Sequence, residues 1–418
     1  MKTLVRTAFV MGPKLRAMVH GFKGLLTPAK ILFLTLTFSA TTSWAYNDFL
    51  FRTSSFSRES RKDFQKFDQD DRLMLNWSLR SAGESYADQI DEDFVYAVGG
   101  RSEIKYRLLD RLIFTTTIDV QFRSGRVQSR FGEFTPSGIY LHYGYFDLDI
   151  LNDDMFHLMF GTLDQRRVFS GFVMAQRSFP GLEERVNIKA MDGKMLYRFS
   201  TQQVIPTSYT FNTELVAKEE LPTLFSAVAS ATYESGRSYD MSAYVGGFSY
   251  NNLPSKVADS SRFLGNSVIG TGAASQFIFG FEGWMAGIAG RYDFNRDIAV
   301  GFSLDMLENT SAPDTFNQAQ MIRVFASRRL NADLGLDFNV GNYFVESDAV
   351  PGYYTSTVMG NTNRKGNFVE LGLEWIPKKV RVSGRYVKAD LINKDTSGRQ
   401  YDADIITIHL ETSYDRLF

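Results

Sequence analysis

The sequence predicts an all-β protein, a transmembrane antiparallel up-and-down β-barrel of about 18 strands, with about 16 as the alternative count. Three observations carry this. Apolar and polar side chains alternate along most of the chain. The connections fall into short turns and long polar loops. A basic, then apolar, then small-residue segment stands at the N-terminus. A strand sends successive side chains to opposite faces, so period-two alternation means one greasy and one polar face.

Composition agrees. The chain has 418 residues with 36 Phe, 20 Tyr and 33 Gly but only 10 Pro. Aromatic residues favour strands, and glycine suits turns and crowded barrel walls. There is no Cys, which excludes disulfides, thiolate-bound metals, thiol nucleophiles and an N-terminal lipid anchor on cysteine.

Residues 1–30 carry Lys2, Arg6, Lys14, Arg16, Lys23 and Lys30 and no acid, and Ile31 to Ala45 follow without a charge. Ser43-Trp44-Ala45 is a small-x-small pattern, so residues 1–45 read as a secretory signal peptide cut after Ala45, with Met11 and Met18 as alternative starts. Losing its six basic residues takes the net charge from −1 to −7. An exported chain that enters a membrane without an apolar helix must do so as a closed barrel. Residues 46–70 lack clean alternation and read as a periplasmic lead-in or a segment folded into the lumen. Residues 71–418 form the barrel.

Leu73, Leu75, Trp77 and Leu79 mark a first strand. Ile104, Tyr106 and Leu108 lead through Leu109–Arg111 into Leu112, Phe114, Thr116, Ile118, Val120 and Phe122. The hairpin from Gly287 to Met306 is the cleanest. Ile288, Tyr292, Ile298, Val300, Phe302 and Leu304 alternate with Arg291, Asp293, Ser303 and Asp305 across the turn Asn295–Asp297. In a membrane barrel the first set faces lipid and the second the lumen, with Tyr292 and Phe294 in an aromatic girdle. Leu334 to Val340, Val369 to Trp375, Val380 to Tyr386 and Ile406 to Tyr414 repeat the pattern.

Arg329–Asn331 and Pro377–Lys379 are also short connections. Ser124–Ser137, Gln165–Glu184, Asn251–Ser275, Glu308–Gln318 and Glu346–Gly366 are long. Such sorting suits short periplasmic turns and long outer loops. It gives each strand a direction, and the directions clash between residues 200 and 285. A missing strand within Phe263–Phe281 would bring the count to an even number.

The last strand ends with Ile406, Ile408, Leu410, Tyr414 and Phe418 at alternating positions before the chain stops. This resembles the C-terminal insertion signal of Gram-negative outer-membrane proteins, although Arg416 stands where a bulky apolar residue is usual. Over 71–418 the pattern resembles the porin-like barrels, which implies assembly by the barrel-assembly machinery and contact with outer-membrane lipid and lipopolysaccharide. "MFGTLDQRRVFSGF" followed by "RSFPGLEERVNIKA" resembles a strand, an Arg-rich loop and a returning strand of alginate-export-type barrels. Those are 18-stranded conduits for an anionic sugar polymer. That resemblance would put Arg166 or Arg167, with Arg177 and Arg185, near a pore.

The candidate lumen-facing charges are Asp119, Arg123, Arg291, Asp293, Asp305, Asp333, Asp337, Glu370, Glu374, Arg381 and Arg385. In a water-filled pore such groups tune which solutes pass, and in a narrow one they pair across the lumen. Arg126 and Arg130, with Arg166 and Arg167, form a loop basic patch that either concentrates anions or binds lipopolysaccharide phosphates. Three histidines are left after processing, His142, His157 and His409, and Asp153 and Asp154 lie close to His157, but in a short turn. No phosphate loop or metal spacing appears, so no cofactor, metal, catalytic step or nucleic-acid partner is expected. The reading is an outer-membrane channel for small hydrophilic or anionic solutes, with a homo-oligomer left open. The alternative is a structural or adhesive barrel acting through its long loops.

Overall fold

The computed structural model describes residues 72–89, 92–125, 137–151, 154–165, 178–206, 219–235, 239–295, 297–355, 361–394 and 400–417. The segments 1–45 and 46–70, the patch residues Arg126, Arg130, Arg166 and Arg167, Arg177 and the terminal Phe418 lie outside them.

The wall begins with β1 (Leu73–Asp88), β2 (Glu92–Leu109) and β3 (Leu112–Gly125), followed by β4 (Gly138–Asp149) and β5 (Phe156–Asp164). Next come β6 (Ser178–Ala190), β7 (Met195–Val204), β8 (Thr223–Glu234) and β9 (Tyr239–Asn251). After a loop that carries helix α1 (Ser255–Arg262) and the two-residue strands β10 (Val268–Ile269) and β11 (Gln276–Phe277), the wall resumes. It continues through β12 (Phe281–Asp293), β13 (Ile298–Asn309), β14 (Gln318–Arg329) and β15 (Leu334–Val345). It ends with β16 (Arg364–Trp375), β17 (Val380–Leu391) and β18 (Ala403–Leu417). Each wall strand pairs antiparallel with its neighbours, and β1 closes on β18 with Met74 opposite Leu417. Closure leaves the wall no open edge to satisfy.

Sixteen strands close the wall, which is the alternative count. The stretch Phe263–Phe281, expected to supply a missing wall strand, does not cross the barrel. It forms the end of α1, the β10–β11 hairpin and the approach to β12. The physical reason is its company, since Leu264 and Phe277 pack against the inward side chains of the wall. A second correction concerns the loop expected over Gln165–Glu184: β6 starts at Ser178, so Glu184 belongs to the wall.

The hairpin β12–β13 shows how the wall is built. Ile288, Tyr292 and Phe302 are 37%, 46% and 43% exposed, whereas Ser303 and Asp305 are each 5% exposed. The apolar face therefore points outward. Gly290 lies opposite Phe302, and a Cβ there would come within 2.7 Å of the Phe302 ring. Tyr292 and Phe294 meet edge to face at 4.8 Å beside the turn. The same outward apolar face runs through Leu79, Val324, Leu371, Ile408 and Leu410.

The inner face is not uniform, which the alternation could not show. Toward the short turns it is polar and charged. Toward the long loops it is apolar, with Phe179, Val204, Leu224, Phe248, Met285, Leu307, Tyr343 and Phe368 all buried. Two loops fold over this apolar half. One holds α1, whose Val257 and Ala258 are buried, and the other follows β15 and buries Ala349, Val350, Tyr353 and Tyr354.

Candidate pore lining

Period-two geometry and register decide which charges meet on the inner wall. Arg101 on β2 lies opposite Asp119 on β3, and its Nε and Nη2 donate to the two Asp119 oxygens at 2.6 and 2.7 Å. His142 approaches the same carboxylate at 4.0 Å. Tyr143 donates to Glu103 at 2.8 Å. On the facing arc, Arg323 donates to Ser303 at 2.9 Å and to Asp305 at 3.5 Å, and Tyr244 donates to Asp305 at 2.8 Å. Arg291 Nε donates to Asp293 at 2.8 Å. Glu370 accepts from Arg385 at 2.6 Å and from Arg381 at 3.3 Å, while Arg381 also reaches Asp337 at 3.4 Å. Arg80 pairs with Glu411, and Arg185 with Glu183. Most of these bonds are charge-assisted, and each keeps a long side chain against the wall instead of across the lumen.

Of the residues expected to line the lumen, Asp119, Arg291, Asp293, Asp305, Asp337, Glu370, Arg381 and Arg385 stand on this inner face in the pairs just described. Glu374 stands opposite Arg381 in the register. Arg123 is half-buried, and its backbone N–H donates to Ser137 at 2.9 Å. Asp333 is a correction. It sits in the exposed turn before β15, where its N–H donates to Asn331 at 2.8 Å, so it occupies no strand face. Leu410 is on the outward face, and Tyr414 lies opposite Trp77 where β18 meets β1.

Sequence reasoning missed Arg80, Arg101, Glu183, Arg323 and Glu411. Arg80 and Glu411 each follow a recognised outward residue, Leu79 and Leu410, and so have the opposite, inward parity. Counting both faces of every strand would have found them. His157 forms a brace at the short-turn end. Its Nδ1 lies 2.9 Å from Asp147 and its Nε2 3.0 Å from Asp154, and Lys189 Nζ donates to Asp154 at 2.6 Å. The His157 hydrogen bond, aided by Lys189, holds the Asp154 carboxyl down at about 2. A turn fixed on all sides by ionic bonds is a structural element. No group of three or more metal-ligating side chains is found among the described residues.

The two in-folded loops are joined to each other by side chains. Asn266 Nδ2 donates to the carbonyls of Ser347 and Val350 at 2.5 and 2.9 Å, and its Oδ1 accepts from Gly352 N at 2.6 Å. Asp348 accepts from Ser267 N at 2.9 Å and from Ser267 Oγ at 2.6 Å. Burial pushes the Asp348 carboxyl above its usual range despite these donors. Asn309 Nδ2 ties the clasp to the wall through the Asp348 carbonyl at 2.7 Å.

No family model matches the sequence, and no curated protein does. Solved structures do match in fold. The Pseudomonas putida OprB structure aligns with a TM-score of 0.52 at 11% identity, over 83% of this chain and 95% of that one. A loop-deletion form of Vibrio cholerae OmpT aligns at 0.49 and 11% identity, over 82% and 100% of the two chains. The outer-membrane channel DcaP of Acinetobacter baumannii aligns at 0.47 and 11%, over 82% and 97%. The closed antiparallel barrel of this chain has the fold of the outer-membrane porins.

Proposed function

We propose that this chain is an outer-membrane porin-like channel through which small hydrophilic solutes diffuse passively. The observation that carries the reading is a sixteen-strand closed wall with an apolar outer face and ion pairs on its inner face. Barrels of about 16–18 strands are wide enough for an aqueous channel, while those of about eight strands are filled by their own side chains. The outer face needs hydrocarbon beside it, and among the described residues no helix is long and apolar enough to cross a membrane. Strands therefore make the crossing. Residues 1–45 supply the export signal, and lipopolysaccharide and the assembly machinery are the partners such a barrel meets. No step of this function is catalytic.

Charge selection by the described wall is weak on this reading, because its arginines stand beside carboxylates that cancel their field at a distance. A preference for anions would have to come from Arg126, Arg130, Arg166 and Arg167 in the loops. The adhesive alternative draws less support, since two of the long loops turn inward over the lumen.

Conductance of the folded protein in a planar bilayer tests the reading. Ohmic current with a reversal potential near zero in a salt gradient is expected. A folded barrel that passes no ions at any voltage, with the loops in place or displaced, would sink it.

A further inference from the structure

Tyr354 is the most completely enclosed ring of the in-folded loops, with no exposed surface. Its loop leaves the wall between β15 and β16, yet the ring reaches β6, β7 and β9 on the opposite side of the barrel. It lies parallel to Tyr250 of β9, with centroids 6.0 Å apart and planes 4° apart. It meets Phe179 of β6 edge to face at 5.3 Å. Its hydroxyl donates to the carbonyl of Pro206, just past β7. The loop thus carries a phenol into a slot made by the wall, with an aromatic face, an aromatic edge and one acceptor for a hydroxyl.

The wall below the slot holds polar groups that the loop does not satisfy. Gln202 on β7 and Ser226 on β8 face each other in the register, directly below Val204 and Leu224 on the inward side. They are 1% and 0% exposed, and among the described residues neither the Gln202 amide nor the Ser226 hydroxyl has a hydrogen-bond partner. Buried polar groups without partners are costly, and these two stand together beneath the slot, where a bound solute could satisfy them. An amide and a hydroxyl offer both donors and acceptors and carry no charge.

We propose that this slot is a solute-binding station for an uncharged ring bearing hydroxyl groups, and that Tyr354 occupies it as the chain's own stand-in. An incoming ring takes the stacking place against Tyr250 and Phe179 and its hydroxyl takes the Pro206 carbonyl, and a ring with further hydroxyls on its lower edge also gives Gln202 and Ser226 partners. Ring and loop compete for one place, so solute entry and loop displacement are the same event. The proposal rests on the channel reading and names the solute class and the gate of that channel.

The test compares wild type, Tyr354→Ala and Tyr354→Phe in planar bilayers, each checked for the folded, heat-modifiable form. Tyr354→Ala is expected to raise the open-channel current several-fold, and Tyr354→Phe to raise it less, since it keeps the ring and loses only the bond to Pro206. Phenol, or glucose, added to Tyr354→Ala should then reduce the current. Block by phenol alone assigns an aromatic solute, and block by glucose assigns a sugar ring. Adding Gln202→Ala and Ser226→Ala should weaken block by glucose by about tenfold and leave block by phenol, whose one hydroxyl is on Pro206, unchanged. Calorimetric titration of phenol and glucose into the Tyr354→Ala barrel in micelles gives the same comparison without a current. Current through Tyr354→Ala that neither probe reduces, with no heat of binding, overturns the station. Absence of current in every folded variant overturns the channel reading instead.

Discussion

Glu370 on β16 accepts two hydrogen bonds from Arg385 on β17, at 3.0 Å from Nε and 2.6 Å from Nη2, with side chains only 4% and 13% exposed. The pair sits directly across the register. Removing one member leaves the other's charge shielded from water, and Arg381 at 3.3 Å compensates only in part. Arg385→Ala should therefore cost about 2–3 kcal/mol in urea unfolding from micelles. Glu370→Met with Arg385→Met should cost less than the two single changes added together, because no orphan charge remains. Additive single effects would mean the pair is not coupled.

The orientation of β12–β13 leads to a paired test. Phe302 occupies the middle of the outward face of β13, and Ser303 the adjacent inward position. Phe302→Arg places a charge in hydrocarbon and should destabilise the barrel by about 2–4 kcal/mol, or block its assembly. Ser303→Arg faces the lumen beside Asp305 and should cost far less while lowering single-channel conductance. The reverse ranking in a folding titration would invert the wall.

Glu184 is a charged residue in the middle of a strand's outward face. The outward positions of β6 include 182, 184, 186 and 188, so Glu184 is central, flanked by Leu182 and Val186. It accepts a long bond from Thr201, at 3.5 Å. A carboxylate there opposes insertion, and Glu184→Leu should stabilise the lipid-embedded barrel by about 1 kcal/mol. A destabilised Glu184→Leu would show that something other than lipid covers this arc.

The contrast between Phe302 and Glu184 also shows how far the fold was legible. Where a strand alternates without interruption, as from Ile298 to Met306, period two alone gives its faces, and the membrane context gives their direction. In "GLEERVN" the adjacent acids Glu183 and Glu184 look like a loop, because pattern reading weighs composition and not the opposite destinations of neighbouring side chains. The leading count of about 18 overshot the sixteen strands of the wall, the alternative count, for a related reason. Leu264 and Phe277 are as apolar as lipid-facing residues, but they cover the apolar inner half formed by Phe248, Met285 and Tyr343. One-face alternation cannot tell an outward apolar series from an inward one capped by a loop. Ion partners such as Arg101 and Asp119 needed the register, which no single strand contains.

Two acids outside the wall strands respond to pH with opposite sign. Asp154 is held down at about 2 against an ordinary 3.8, chiefly by the His157 bond. A lowered carboxylate stabilises the fold above its unfolded value, and that contribution is lost as pH falls from about 4 to about 2. Its side chain is 57% exposed, so the loss stays below about 1 kcal/mol. Asp348 is raised by burial within the loop clasp. The folded state then holds its proton more tightly than the unfolded chain, so the clasp is firmest below 3.8 and loosens as pH rises through the raised value. Asp154→Asn should flatten the acid-side loss in thermal unfolding between pH 2 and pH 5, by lowering the stability above that range by up to about 1 kcal/mol. Asp348→Asn keeps an acceptor for Ser267 N, carries no charge, and should remove the loosening. Hydrogen exchange of the Ser267 amide, corrected for its intrinsic pH dependence, reads this directly. Protection that falls with rising pH in wild type and stays level in Asp348→Asn is the expected result, and an identical slope in both proteins would exclude Asp348 as the titrating group of the clasp.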